Sequence, residues 1–165
     1  MSIAANLFMN IDGIEGAVTD SAYPKWLSIS DFEYGAHLEG HIDNTSNNLI
    51  KGGAWLDPIS FSKDMDSTST QLSMSVKEGT IYKKVIIAVG VDVDNGKKEI
   101  SRWTFEDCLF NRYQVSIAGA GAGFQERLTF LFSNVTFETN FLTADKSQTK
   151  QGPVFWNVKT NSKEQ

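Results

Sequence analysis

The chain has 165 residues, 41% hydrophobic and 21% charged, which suits a single domain, residues 1–165, large enough to fold without disulfide or metal. Its net charge of −5 and scattered basic residues argue against nucleic acid and anionic membranes as partners, because both need a basic face. One cysteine, Cys108, excludes an intrachain disulfide; residues 1–12 lack the basic-then-apolar order of a Sec signal peptide; and no apolar run approaches the ~20 residues that cross a bilayer.

Residues 6–12 read as a strand, since Leu7, Met9 and Ile11 recur with the period of two of a pleated chain. Turn residues follow at Asp12-Gly13 and Glu15-Gly16. A second strand is expected over residues 26–34. Leu27 and Ile29 share a face, and Phe32 and Tyr34 continue one residue out of phase, which predicts a β-bulge near Ser30 and Asp31. Residues 35–58 carry Gly40, Gly52 and Gly53, several Asn and Asp, and few periodic apolar residues. They are expected to form a long extended loop, and its Leu49, Ile50, Trp55 and Leu56 suggest that it packs on another subunit.

Residues 59–63 form a short strand. Thr68-x-x-Gln71 fits a capping box, Leu72 and Val76 make a narrow apolar stripe, and Gly79 suits a left-handed stop, so one helix is expected over residues 69–78. The strongest strand pattern is 82–93, with Val85, Ile87, Val89, Val91 and Val93 in phase. Asp94-Asn95-Gly96 is a hairpin turn signal. Residues 99–117 return as one or two strands, 118–123 as a Gly/Ala loop and 127–141 as a hairpin or bent strand. Residues 143–152 are polar and 154–158 a short closing strand, within a C-terminal tail of 143–165. Six or more strands with one helix predict a mainly β fold, a sandwich or barrel with a flanking helix.

Little in the chain suggests chemistry. His37 and His41 are interleaved with Glu39 and Asp43, but no third ligand has a recognisable spacing, and they read as solvated loop residues. Gly119-Ala-Gly-Ala-Gly123 is followed by a strand pattern and not by the helix a phosphate loop needs. Cys108 sits in a strand run and reads as a packed thiol. The acid pairs Glu106 with Asp107 and Asp64 with Asp66 arise readily among twenty carboxylates. No catalytic, cofactor or metal site is expected. A free-standing β-sandwich that binds carbohydrate through exposed aromatics is one alternative; an enzyme using these acid pairs is a weaker one.

Five stretches, in order, resemble Hcp, the haemolysin-coregulated tube protein family of type VI secretion. They are Leu7-Phe-Met-Asn-Ile-Asp-Gly-Ile-Glu-Gly16; Trp26-Leu-Ser-Ile with Phe32-Glu-Tyr-Gly35; Ile59-Ser-Phe-Ser-Lys63 leading to Asp66, Ser69, Leu72 and Gly79; Gly121-Ala-Gly-Phe-Gln-Glu-Arg-Leu-Thr129; and Gly152-Pro153 with Trp156-Asn-Val158 and Asn161. Thr70 stands where the family often has Pro, and residues 97–115 match only in pattern. The resemblance implies a small antiparallel β-barrel with one flanking α-helix. Such subunits form a homo-hexameric ring. Rings stack into a tube inside a contractile sheath, a VgrG-type spike caps it, and small effector proteins ride in the lumen. The protein would be made in the cytoplasm and secreted by the type VI route. On this reading Leu49, Ile50, Trp55 and Leu56 of the loop serve ring stacking, and the polar side of the second strand, Ser28, Asp31 and Glu33, faces the lumen. A tail-tube protein of a phage-like contractile device shares the same expectations.

Overall fold

The computed structural model describes residues 5–94, 96–121 and 123–164. Asn95 of the expected hairpin turn and Ala122 of the Gly/Ala loop lie outside them. In chain order the elements are β1 (Ala5–Ile11), β2 (Leu27–Ile29), β3 (Asp31–Glu33), β4 (Ala36–Ile42), β5 (Leu49–Leu56), β6 (Ile59–Asp64), α1 (Ser69–Glu78), β7 (Ile81–Val93), β8 (Gly96–Ile117), β9 (Phe124–Leu131), β10 (Asn134–Leu142) and β11 (Gln148–Asn157).

The main sheet runs β2-β1-β7-β8-β9-β6-β3, and every pairing is antiparallel. Its two end strands, β2 and β3, are successive pieces of one segment interrupted at Ser30, whose N–H donates to the Ser62 carbonyl at 2.7 Å. The sheet is therefore not closed into the expected barrel by a continuous ring of ladders. The chain bends from one end of the path to the other at the predicted bulge, where a residue left out of the ladder lets the strand change partner.

β8 bends as well. Asp107 adopts φ 51°, and the half of β8 before it pairs with β10 while the half after it pairs with β9. Opposite this kink, Ser133 donates from its Oγ to Asp107 Oδ2 at 3.0 Å, and Asn134 donates to Glu106 Oε2 at 3.0 Å. The acid pair Glu106 and Asp107 is thus used to hold a bend. β11 adds outside β10, so the polar residues 148–152 belong to a strand and not to an irregular tail.

The core is built from alternate residues of these strands, with Met9, Ile59, Phe61, Val85, Ile87, Phe105, Leu128 and Phe130 fully buried. β7 departs from simple alternation, because Ala88 is buried on the other face. There Tyr23 of the segment between β1 and β2 stacks on Phe8, with ring centroids 4.4 Å apart, and covers the outer side of the sheet.

The helix begins and ends for local reasons. Thr68 is the N-cap residue but caps nothing with its side chain; its Oγ1 donates to Asp66 Oδ1 at 2.6 Å. The reciprocal box lies two residues earlier than expected. Asp66 accepts from the Thr68 N–H at 2.8 Å, and Ser69 Oγ accepts from the Asp66 N–H at 2.9 Å. Gly79 takes the left-handed stop, with φ 69° and its N–H donated to the Ser75 carbonyl.

Beneath the start of the helix lies a buried charge network. Lys63 Nζ is 2.7 Å from Glu126 Oε2 and 3.0 Å from Asp66 Oδ1, and the Lys63 and Glu126 side chains are wholly buried. Tyr113 donates its hydroxyl to Glu126 Oε1 at 2.6 Å. Burial pushes the Asp66 carboxyl up, but the hydrogen bonds from Thr68 and Lys63 together outweigh it and leave Asp66 below its ordinary value.

Candidate functional site

Two surfaces stand apart from the packed body. The first is the β4–β5 hairpin, which forms its own two-stranded sheet. The expected long loop is therefore an ordered finger, and every residue of β4 is exposed. Its tip is fixed from within. Asp43 accepts from the Ser46 hydroxyl and from the Thr45 and Ser46 N–H groups, which holds its carboxyl below the ordinary range. Asn47 takes φ 58°, and its N–H reaches the Asp43 carbonyl at 2.7 Å. An Asx turn of this kind pre-sets the loop without a partner.

The register decides which side chains share a face. Ala36 pairs with Leu56, Leu38 with Ala54, Gly40 with Lys51 and Ile42 with Leu49. Alternation puts all of these on one face, and His37, Glu39, His41, Ile50 and Trp55 on the other. The first face is apolar over most of its length, with Leu38 57%, Ile42 61% and Leu49 79% exposed. Leu56 ends it at the body, packed against the main core. The four residues expected to work together thus divide: Leu49 and Leu56 on one face, Ile50 and Trp55 on the other. The strand phase is hidden in the sequence because Gly52 and Gly53 lie opposite Glu39 in a bulge.

His37 and His41 stand four residues apart on β4, which spaces them by ~13 Å and serves no common ion. His37 stacks on Trp55 and lies 3.5 Å from Asp57. Among the described residues, no group of three or more His, Cys, Asp or Glu is placed to hold a metal. Cys108 is fully buried opposite Tyr82, and burial pushes its thiol up to about 12.

The second surface is the outer face of β3, β6, β9 and β8. Asp31, Ser62, Arg127 and Gln114 are register partners in one row across it, and Glu33, Ser60, Thr129 and Arg112 in the next. Arg127 lies 3.5 Å from both Asp31 and Glu33 and donates to Ser62 Oγ at 2.9 Å. The two rows therefore make a polar strip on which two acids balance two arginines. Ser28 is exposed, as expected, but stands apart from these rows. It pairs with Phe8 and borders a groove with Val18, Ser30 and Met65.

The Lys63–Glu126 pair escapes a reading of the sequence although both residues lie in the motifs above. Its signal is phase. Lys63 continues Ile59 and Phe61, and Glu126 precedes Leu128 and Phe130, each at the spacing of a buried position.

The family described as "Type VI secretion system effector, Hcp" matches residues 8–139. No curated protein matches the sequence. Among solved structures, a "type six secretion system protein" is similar at 23% identity and TM-score 0.89, over 96% of this chain and 99% of its own. Hcp1 from Salmonella typhimurium is similar at 18% identity and TM-score 0.73, over 97% of this chain and 99% of its own. Hcp3 from Pseudomonas aeruginosa is similar at 15% identity and TM-score 0.61, over 90% and 97%.

Proposed function

The chain belongs to the Hcp family of type VI secretion, and from that membership we propose that it is a non-catalytic subunit that forms hexameric rings stacked into a secretion tube. The observation that carries this reading is the β4–β5 finger. An ordered hairpin with Leu38, Ile42 and Leu49 exposed on one face is costly to leave in water and suits contact with another subunit. A subunit with a projecting element that meets a different surface on its neighbour makes heterologous contacts, which close into rings or run on as filaments. The finger serves ring stacking in this account, with Leu38, Ile42 and Leu49 on the contact face and Leu56 anchoring it to the body.

The polar strip around Asp31, Glu33 and Arg127 suits a lumen wall that small effector proteins pass without being held by net charge. Ser28 of β2, paired with Phe8, stands apart from that strip. The tube is capped by a VgrG-type spike, enclosed by a contractile sheath and expelled by it. The protein leaves the cytoplasm by this route.

The paired substitution Leu38→Asp with Leu49→Asp tests the finger. Both changes are on exposed positions, so the circular dichroism spectrum and melting temperature should stay within experimental error of the parent. Stacked tubes in negative-stain images should disappear. Tubes of normal length from this variant would rule out the finger as the stacking element.

A further inference from the structure

We infer that the groove at the foot of the β4–β5 hairpin receives the hairpin tip of a second copy of this chain; the inference rests on the assembly reading above and names the surface that the finger meets. The groove has a volume of about 500 Å³ and is lined by Tyr34, Val135, Phe137, Val154 and Trp156, with Lys163 beside them. It is predominantly apolar yet open, and Val154 is 61% exposed. Trp156 Nε1 is buried and has no hydrogen-bond partner among the described residues.

The occupant follows from three observations. First, the tip matches the groove in its apolar character. Ile42 and Leu49 form the last cross-strand pair of the finger, and they are its most exposed aliphatic residues. Second, the charges match. Asp43 follows Ile42 directly and is held as a carboxylate by its turn, while Lys163 makes no ion pair among the described residues. A tip seated with Ile42 and Leu49 against Val154 and Trp156 carries Asp43 toward that ammonium group. Third, the tip cannot be the chain's own. Tyr34 lies two residues before the root of the finger, and the seven residues of β4 carry the tip ~23 Å away from it. Strand pairing runs from Ala36 with Leu56 to Ile42 with Leu49, so the finger has no slack with which to fold back.

A contact from tip to foot joins two different surfaces. After pairing, one copy still has a free groove and the other a free tip, so the contact propagates, as a ring or a filament requires.

The test uses two single-cysteine additions to the full chain, Leu49→Cys and Val154→Cys, with Cys108 left in place because it is buried. The two proteins are mixed under assembling conditions and treated with a short bismaleimide, and products are identified by mass spectrometry. The expected product is a cross-link between the cysteine at position 49 of one chain and that at position 154 of another, with at least a tenfold lower dimer yield from either protein alone. Val154→Asp in the otherwise unaltered chain should remove stacked tubes in negative-stain images while leaving the melting temperature unchanged. Assemblies that persist by light scattering with no link between positions 49 and 154 would overturn the groove as the seat and leave the ring reading intact. Cross-linking of Leu49→Cys to itself would replace the tip-to-foot contact with a tip-to-tip one. Protein that never exceeds a monomer would overturn the seat and the assembly reading together.

Discussion

Replacing Lys63 with methionine is expected to lower the stability of the fold by about 3–5 kcal/mol, the usual cost of leaving a buried charge without its partner. Lys63 and Glu126 sit on adjacent strands, directly paired in the β6–β9 register, and both side chains are wholly buried. Removing the ammonium group leaves the Glu126 carboxylate with the Tyr113 hydroxyl alone. It also strips Asp66 of a cation, and Asp66 holds the turn that starts α1. The double variant Lys63→Met with Glu126→Gln should recover part of the loss, because the orphaned charge goes with the partner. Urea unfolding of the parent, single and double variants measures this; a single-variant loss under ~1 kcal/mol would show that the pair is not needed. The same network sets an acid response. The folded Asp66 carboxyl lies below its unfolded value of 3.8, so its contribution is fully present above that pH and is lost as pH falls through the lower, folded value. Asp66→Asn should flatten the fall in stability in that window.

Phe130→Ala is the second large effect, at about 3–5 kcal/mol for a buried phenylalanine in a close-packed core. Phe130 is fully buried and lies within aromatic contact of four other rings: Phe110 at 5.2 Å, Phe105 at 5.3 Å, Phe61 at 6.2 Å and Phe132 at 6.5 Å between centroids. These rings come from β6, both halves of β8 and the chain at the β9–β10 break, so the cluster ties together the strands that meet at the Asp107 kink. Stiff rings held on strands cannot collapse fully into the vacated space. Phe130→Leu should cost distinctly less, because it keeps more of the volume. Equal losses for the two variants would mean that the site relaxes and that ring packing contributes little there.

How much is legible in the sequence depends on whether one face of an element is buried and the other wet. β1, β6, β7 and β9 have a covered face, and their period of two is readable. The helix bounds are readable because Gly79 and the spacing of Leu72 and Val76 are local signals. The β4–β5 finger reads as a loop because both of its faces are exposed, so no burial contrast imprints a period on 36–56. β11 is half hidden for the same reason, being an outer strand whose polar residues Thr149, Lys150 and Gln151 meet solvent. Spacing misplaces the capping box because Asp66 is drawn to the buried Lys63, a contact made only by folding. Of the candidate site, the exposure of Asp31 and Glu33 is foreseeable, while their meeting at Arg127 depends on the pairing of β3 to β6 to β9.

The most direct test of the account is the molar mass of the purified chain by light scattering, with negative-stain images of the same fraction. A ring-forming tube subunit predicts a mass six times that of one chain and ring-shaped end views. A single chain at every concentration, with no rings in the images, would contradict it.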